Sequence, residues 1–285
     1  MEMSQEQIFA SFTHWKYSEN TWFITFMGGS QYIYLLEGDD HALLIDTGYG
    51  FGSLRAYVER LTPKPVIVVN SHGHLDHVGS NGEFPEAHML PGAIKDMETL
   101  AGGPCDISKL PYPDYKKIFI ADGDVFHLGG RDVEVADISS HAHGSIALID
   151  PSSRLIYCGD EIESGQVLMF NMHQEAYDLR EHLLKHKANM QKLKDRAGGF
   201  TGLCPAHNGS PIALSYLDDY IALSEQILAG TAQIEEKLNH IHIEKSPLAK
   251  GLVRARWQKA SFIVRKSDLA GLAVQIGRAS CRERV

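Results

Sequence analysis

Four side chains able to bind a metal ion lie within six consecutive positions of the sequence. Residues 70–77 read Asn-Ser-His-Gly-His-Leu-Asp-His, so the segment offers His72, His74, Asp76 and His77. Imidazole and carboxylate ligands suit zinc, and they also suit iron and manganese. In a loop that leaves a strand, His72 and His74 can converge on one ion while Asp76 and His77 turn toward another. The segment therefore predicts a metal site.

The elements around this segment indicate how it is positioned. The run 66–70 has the length and apolar character of a strand covered on both faces, and the potential ligands follow it directly. Strand-rich halves that are each followed by helices suggest packed sheets with helices outside. The predicted strands are 21–26, 32–37, 42–45, 66–70, 133–138, 145–149 and 155–157, and the predicted helices are 52–61, 92–100, 175–196 and 214–228.

The spacing His-x-His-x-Asp-His resembles the signature of the metallo-β-lactamase superfamily, and further motifs follow in that family's order. Upstream, the segment 44–48 reads Leu-Ile-Asp-Thr-Gly, and its Asp46 is similar to the family's strand-end aspartate. Downstream, the segment 140–148 resembles the third-histidine motif. His141 stands at the ligand position of that motif, and His143 replaces the usual Pro.

Two later segments complete the resemblance, which covers the chain to about residue 230. Residues 157–160, Tyr-Cys-Gly-Asp, are similar to the strand that presents a bridging aspartate, here Asp160. Residues 204–209, Cys-Pro-Ala-His-Asn-Gly, resemble the final histidine motif and make His207 its ligand candidate. The resemblance implies an α/β fold, a four-layer αββα sandwich of two mixed β-sheets with helices outside. A single domain with a C-terminal extension is expected over residues 1–275.

The resemblance also implies a dinuclear centre with two Zn²⁺ ions per chain, for which Mn²⁺ or Fe²⁺ are the alternatives. A hydroxide that bridges the ions would be the nucleophile, and Asp76 or Asp160 would relay the proton to the leaving group. Asp46 is expected to support the ligand loop through hydrogen bonds without being a ligand. The expected ligands are His72, His74 and His141 for one ion, Asp76, His77 and His207 for the other, and Asp160 as the bridge between both.

Two sequence features narrow the reaction that the resemblance implies. Asp160 resembles the glyoxalase II, lactonase and phosphodiesterase branches more than the true β-lactamases, and Gly73 stands where diiron oxygen-reducing members carry Glu. We therefore expect a hydrolase that cleaves an ester, thioester or lactone bond of a small substrate. One alternative is a phosphodiesterase on the same dinuclear site. Another is a mononuclear-iron dioxygenase that acts on persulfides, in which Asp76 and His77 would hold no second ion.

The substrate pocket is predicted from the segment that follows the bridging aspartate. In the family this segment often builds the wall of the pocket, and here it carries two apolar side chains and a histidine. Core packing is the alternative interpretation of the apolar side chains. With the spare imidazole beside the third-histidine motif, the pocket candidates are His143, Phe170, Met172 and His173.

Other histidines and the cysteines receive structural interpretations. His182 and His186 lie four residues apart on a predicted helix, a spacing that can bind zinc. Their charged neighbours favour a solvated helix face instead. Cys105, Cys158 and Cys204 are expected to be buried structural thiols.

Composition limits the class of protein. The 285 residues include 15 His but only 4 Cys, none at the paired spacing of a structural zinc site, and the formal net charge is −9. This charge argues against a nucleic-acid partner or an anionic membrane surface. No run of about 18 apolar residues occurs and the N-terminus does not resemble a secretion signal, so a cytoplasmic protein is expected. Residues 276–285 read as a translated sequencing adapter and are left out of the expected domain.

Overall fold

The first of three β-sheets carries the strand that leads into the predicted metal loop. The computed structural model describes residues 12–26, 31–99, 114–170, 177–238 and 250–272. The seven strands of this sheet follow one another in chain order, antiparallel from β1 to β4 and parallel from β4 to β7. They are β1 (Phe12–Ser18), β2 (Thr21–Phe26), β3 (Gln31–Glu37), β4 (Ala42–Ile45), β5 (Val66–Val69), β6 (Glu86–Met89) and β7 (Lys116–Phe119).

The second sheet has five strands in the order β13-β11-β10-β9-β8, and a third sheet of four strands has the order β12-β16-β15-β14. In the second sheet only the pair β11–β13 is parallel. The strands of the second sheet are β8 (Val125–His127), β9 (Asp132–Asp137), β10 (Ile146–Asp150), β11 (Leu155–Gly159) and β13 (Gly202–Pro205). Those of the third sheet are β12 (Val167–Leu168), β14 (Gln233–Glu235), β15 (Leu252–Trp257) and β16 (Ala260–Arg265).

The first two sheets pack face to face through a shared apolar layer. In β3, Tyr34 and Leu36 belong to this layer together with Val135 and Leu148 of the second sheet. Their neighbour Leu35 joins the cluster on the opposite face of the first sheet. Because successive side chains of a strand point to opposite faces, both faces of β3 are buried.

Four helices of the described part of the chain cover the outer faces of the sheets. Helices α1 and α3 pack on the first sheet through side chains such as Val58 and Met97. Helices α4 and α5 pack on the second and third sheets through side chains such as Leu183 and Leu223. Their bounds are α1 (Leu54–Leu61), α2 (Leu75–Val78), α3 (Gly92–Thr99), α4 (Leu179–Arg196) and α5 (Tyr216–Ala229).

The four-layer αββα sandwich predicted from the sequence is therefore confirmed. The sequence did not predict the third sheet, which is built mainly from the C-terminal part of the described chain. Its strand β15 reads Leu-Val-Arg-Ala-Arg-Trp, and two arginines in six residues hide the apolar pattern. No helix in the described ranges is both long and apolar enough to span a membrane.

A buried ion pair ties the first two sheets together. The guanidinium of Arg131 lies 2.5 Å from the carboxylate of Asp150 in β10, and both side chains are at most 6% exposed. The same guanidinium donates to the backbone carbonyls of Asn20 (2.6 Å) and Glu37 (3.1 Å), which flank strands of the first sheet. Arg131 thus satisfies acceptors from both sheets at once.

We predict that Arg131→Ala lowers the free energy of unfolding by about 3–5 kcal/mol, because it leaves the Asp150 carboxylate buried without its counter-charge. Urea denaturation followed by circular dichroism measures the change. The control is Lys194→Ala, whose partner Asp218 is 60% exposed. That exposed pair should contribute less than about 1 kcal/mol. Equal losses in the two variants would contradict the prediction.

Candidate metal centre

The segment predicted to bind metal leaves β5 as a tight loop and enters the one-turn helix α2. Asn70 anchors its start, since the backbone N–H donates to the His88 carbonyl (2.9 Å) and the side-chain amide donates to the His77 carbonyl (2.8 Å). Gly73 is required in the loop because a Cβ there would lie 2.2 Å from the carbonyl oxygen of Ala93. The loop is thereby pressed against α3.

Three histidines from two separate loops meet on one side of the centre. His72 Nε2 lies 3.0 Å from His74 Nδ1, and His141 Nε2 lies 3.2 Å from the same atom of His74. The potential ligand atoms of the three residues all lie within 4.8 Å of one another. The structure thus brings together the three histidines predicted for one ion.

The carboxylate and two histidines predicted for the other ion also meet. His207 Nε2 lies 3.1 Å from Asp76 Oδ2, and His77 Nε2 lies 3.6 Å from the same oxygen. This set also fits within 4.8 Å. The loop of His207 is fixed between the first two sheets, because the Ala206 carbonyl accepts from Tyr32 and the Ala206 N–H donates to the Gly159 carbonyl.

The carboxylate of Asp160 lies between the two sets. Its Oδ2 atom is 3.8 Å from His72 Nε2 and 3.9 Å from His141 Nε2, whereas the other oxygen, Oδ1, is 3.6 Å from His207 Nε2. His77 Nε2 lies 3.5 Å from Oδ2. A single side chain therefore faces ligand candidates of both sets, which is the position predicted for a bridging aspartate.

Burial and charge favour a cation at this centre. Two buried atoms, His77 Nε2 and Asp160 Oδ1, have no hydrogen-bond partner among the described residues, and an unsatisfied buried polar atom costs about 1–3 kcal/mol. A divalent cation would satisfy both atoms. The donor set of five imidazoles and two carboxylates also matches the ligand chemistry of zinc.

The pKa values of the ligand candidates are shifted in different directions. Burial, together with His141, lowers the pKa of His74 to about 4, so that ring is neutral and able to bind a metal. Burial also opposes the ionised form of Asp76, yet the nearby His77 and His207 hold its pKa well below the usual value. His207 shows the converse effect. Burial disfavours its charge, but Asp160 and Asp76 raise its pKa to about 10, and a bound cation would replace that proton.

Asp46 supports the first loop in the way its motif predicts. Its Oδ1 atom accepts from the Ser71 N–H (2.6 Å), and Oδ2 accepts from the Ser71 hydroxyl (2.7 Å). The same Oδ2 lies 2.8 Å from His77 Nδ1, so the Nε2 atom of that ring faces the centre. Asp46 itself adopts a left-handed backbone with φ 66°, which an Asp tolerates better than most residues.

Two groups that orient His141 belong to none of the motifs found in the sequence. The Glu161 carboxylate, fully buried, accepts from the Ser140 N–H (2.8 Å), the His141 N–H (2.7 Å) and the Ser140 hydroxyl. The carbonyl of Leu168 lies 2.8 Å from His141 Nδ1. Both groups lie 20 or more residues from His141 along the chain. The only feature of the sequence that could have indicated Glu161 is its position next to Asp160, the predicted bridging residue.

A tyrosine next to the second set was also missed. Burial, followed by the charge of Asp76, raises the pKa of Tyr49. Tyr49 follows the Asp46 motif in a segment packed on α2, since a Cβ on Gly79 would lie 2.2 Å from the Tyr49 carbonyl carbon. The phenol therefore remains protonated beside Asp76.

The expectation of a solvated helix face for His182 and His186 is wrong. His186 is fully buried with Nε2 2.8 Å from the Glu161 carbonyl, and His182 Nδ1 lies 3.0 Å from the Ser140 carbonyl. The apolar stripe of α4 recurs every three or four residues and includes position 186, so the helix turns this ring inward despite its charged neighbours. Neither histidine belongs to a ligand set within the described residues.

The remaining candidates fall in different surroundings. Phe170 is buried in a cluster with Leu238, Leu252 and Ile263, so the structure places it in packing with the third sheet. Its role in a pocket stays a prediction. The side chain of His143 is 38% exposed and bonds to Asp96. Cys158 and Cys204 are buried free thiols as expected. Met172, His173 and Cys105 lie outside the described residues.

Two known proteins are similar to this chain in sequence at about 25% identity. The acyl-coenzyme A thioesterase MBLAC2 of Homo sapiens is 25% identical over an alignment of 174 positions that covers 50% of this chain. The chain spans only 61% of the length of that relative. The hydroxyacylglutathione hydrolase of Edwardsiella ictaluri (strain 93-146) is 24% identical over 239 residues, covering 81% of this chain and 82% of that protein.

Solved structures show the same fold at lower identity. A metallo-beta-lactamase from Pontibacter korlensis superposes with a TM-score of 0.54 at 20% identity, covering 75% of this chain and 99% of that one. The inverting sec-alkylsulfatase Pisa1 from Pseudomonas sp. has a TM-score of 0.59 at 16% identity, covering 76% of this chain and 42% of that one. Residues 27–219 match the family model of the metallo-beta-lactamase superfamily. The chain belongs to the metallo-beta-lactamase superfamily.

Proposed function

We propose that the protein is a hydrolase that holds two zinc ions at this centre and cleaves the thioester bond of a small substrate. The observation that carries the proposal is the position of Asp160 between two complete three-residue sets. One set of three His suits one catalytic zinc, and the Asp-His-His set suits a second. Seven ligand candidates around one point exceed what a single tetrahedral ion uses.

The residues around the two proposed ions would have different chemical roles. When bound, the two ions would supply a nucleophilic water at neutral pH and would polarise the scissile carbonyl. Asp76 and Asp160 remain ionised despite burial because of the nearby imidazoles, so each carboxylate is in the form that binds a metal ion. Tyr49 keeps its own proton beside Asp76, because burial and the charge of that carboxylate raise the pKa of the phenol.

The relatives favour a thioester among the ester-type bonds. One is an acyl-coenzyme A thioesterase, and another is a hydrolase of hydroxyacylglutathione, so both are named for acyl groups carried on a thiol. Both relatives are about 25% identical, and the first matches half of this chain. The proposal therefore names the bond and a thiol carrier but no particular acyl group. A cytoplasmic location and a small-molecule partner remain part of the proposal.

We predict that chelation removes thioesterase activity and that zinc restores it at two equivalents per chain. His74→Ala should lose at least about 100-fold in kcat/KM and bind less than two equivalents, because His74 is the shared neighbour of His72 and His141. Metal analysis and an acyl-thioester assay measure both. His127→Ala is the control, since that ring is 74% exposed and belongs to neither set.

Other outcomes of the same assay would replace the proposal. Cleavage of bis-nitrophenyl phosphate but not of thioesters would indicate a phosphodiesterase. One iron per chain with oxygen consumption on a persulfide would indicate the dioxygenase. Full turnover in His74→Ala would remove the site assignment.

We also predict that Glu161→Ala lowers the zinc affinity of the His141 set by about 10–100-fold, since the loop of His141 loses three acceptor contacts. Competition with a chromophoric chelator measures the affinity, and circular dichroism checks the fold. Glu161→Gln keeps one carbonyl acceptor and should fall between Glu161→Ala and the wild type. Glu59→Ala, at a side chain 56% exposed, is the matched control. Unchanged affinity in a folded Glu161→Ala protein would contradict the prediction.

A further inference from the structure

The segment that follows β11 carries two buried glutamates after the bridging candidate. Residues 160–163 read Asp-Glu-Ile-Glu, and the second glutamate, Glu163, is 5% exposed. Glu161 holds the loop of the third-histidine motif, whereas Glu163 belongs to neither ligand set within the described residues. The Glu163 carboxyl group instead accepts a hydrogen bond from the side-chain amide of Asn208, the residue immediately after His207. Glu163 therefore contacts the other histidine-bearing loop of the centre.

Two more contacts hold Asn208 against this segment. The Ser164 hydroxyl donates to the Asn208 carbonyl. A Cβ on Gly165 would lie 2.5 Å from Asn208 Cγ, so the missing side chain of this glycine leaves the space that the Asn208 amide occupies. Asn208 has a left-handed backbone with φ 61°, which Asn tolerates better than most residues. Residues 163–165 thus fix both the backbone and the side chain of Asn208.

Glu163 is anchored in turn by helix α5. The Tyr220 hydroxyl donates to the Glu163 carbonyl at 2.9 Å, and Tyr220 is fully buried. The amide of Asn208 needs only an acceptor oxygen, and a carboxyl group offers one in either protonation state. The contact between Glu163 and Asn208 therefore does not depend on the charge of Glu163.

The backbone is fixed on both sides of His207. The preceding residue donates its N–H to the Gly159 carbonyl at 3.0 Å. The following residue is held by Glu163. Between these two contacts, His207 Nε2 lies 3.1 Å from Asp76 Oδ2. Contacts to the end of β11 and to the segment that follows it therefore set the direction of this imidazole.

We propose that Glu163 is a positioning residue, which acts through Asn208 to orient His207 for the ion of the Asp-His-His set. Glu161 orients a histidine of the three-His set, so the segment after β11 supports one histidine for each ion. The proposal rests on the two-ion centre proposed above. It goes beyond that centre by assigning to Glu163 an effect on one ion only.

Three variants test the contact with Asn208. Glu163→Ala should weaken one zinc ion at least about 10-fold and leave the affinity for the other unchanged, since only the loop of His207 loses a contact. Competition with a chromophoric chelator measures both affinities. Glu163→Gln keeps an acceptor oxygen without the charge and should bind both ions as the wild type does. Asn208→Gly permits the left-handed backbone but lacks the amide, so it should behave like Glu163→Ala. Asn208 is exposed, so this variant tests the contact even where Glu163→Ala does not fold.

Backgrounds that lack one histidine show which ion is affected. In His207→Ala, the three-His set remains, and adding Glu163→Ala should not change the affinity for its ion. In His141→Ala, the Asp-His-His set remains, and adding Glu163→Ala should weaken its ion at least about 10-fold. Adding Glu161→Ala should give the opposite pattern. Glu59→Ala, at a side chain 56% exposed, is the matched control and should have no effect in either background.

Each result decides the proposal. Equal weakening of both ions in a folded Glu163→Ala protein would overturn it, since that result indicates a general structural role. A loss in Glu163→Gln as large as in Glu163→Ala would overturn it as well, because charge would then be the cause. Unchanged affinities in Asn208→Gly would do the same, since Glu163 would not act through Asn208. If the wild-type protein binds fewer than two zinc ions, the proposed two-ion centre itself fails and this proposal fails with it.

Discussion

A buried carboxylate at the end of one strand holds the histidine-bearing loop of its neighbour, and the centre depends on this interaction. Asp46 follows β4 and accepts both the N–H and the hydroxyl of Ser71, which stands immediately before His72. It also fixes the Nδ1 edge of His77. Because β4 and β5 are parallel neighbours, their carboxyl ends meet at one edge of the sheet, and one side chain can span the gap.

In the second sheet, another buried carboxylate holds a histidine-bearing loop in the same way. Glu161 follows β11 and accepts the N–H and the hydroxyl of Ser140, which stands immediately before His141. In both sheets a carboxylate clamps a Ser-His pair in the adjacent loop. Each carboxylate fixes the backbone beside a ligand candidate and thereby helps to orient its imidazole. Rigidity comes from the two sheets that the apolar layer holds together.

The sequence allowed features to be predicted where the residues involved lie close together along the chain. It did not predict contacts between residues that are distant in the chain. His72, His74, Asp76 and His77 could be found because four ligands crowd into one short loop after an apolar strand. The clamp by Glu161 joins loops of different strands, and no spacing along the chain encodes it. His186 was misplaced because charged neighbours on both sides conceal the buried stripe of α4. The αββα layers were predictable since strand and helix periodicities differ clearly, whereas the arginine-containing strands of the third sheet break the apolar alternation.

The third sheet contacts the candidate metal centre through a backbone carbonyl of β12. Residues Val167 and Leu168 of β12 pair in parallel with Phe262 and Ile263 of β16, and the carbonyl of Leu168 meets His141 Nδ1 at 2.8 Å. Since β16 lies beyond the residues 27–219 that match the family, the orientation of one ligand candidate depends on a part of this chain outside the shared region. The third sheet therefore helps to support the site, because the pairing of β12 with β16 fixes the Leu168 carbonyl that contacts His141 Nδ1.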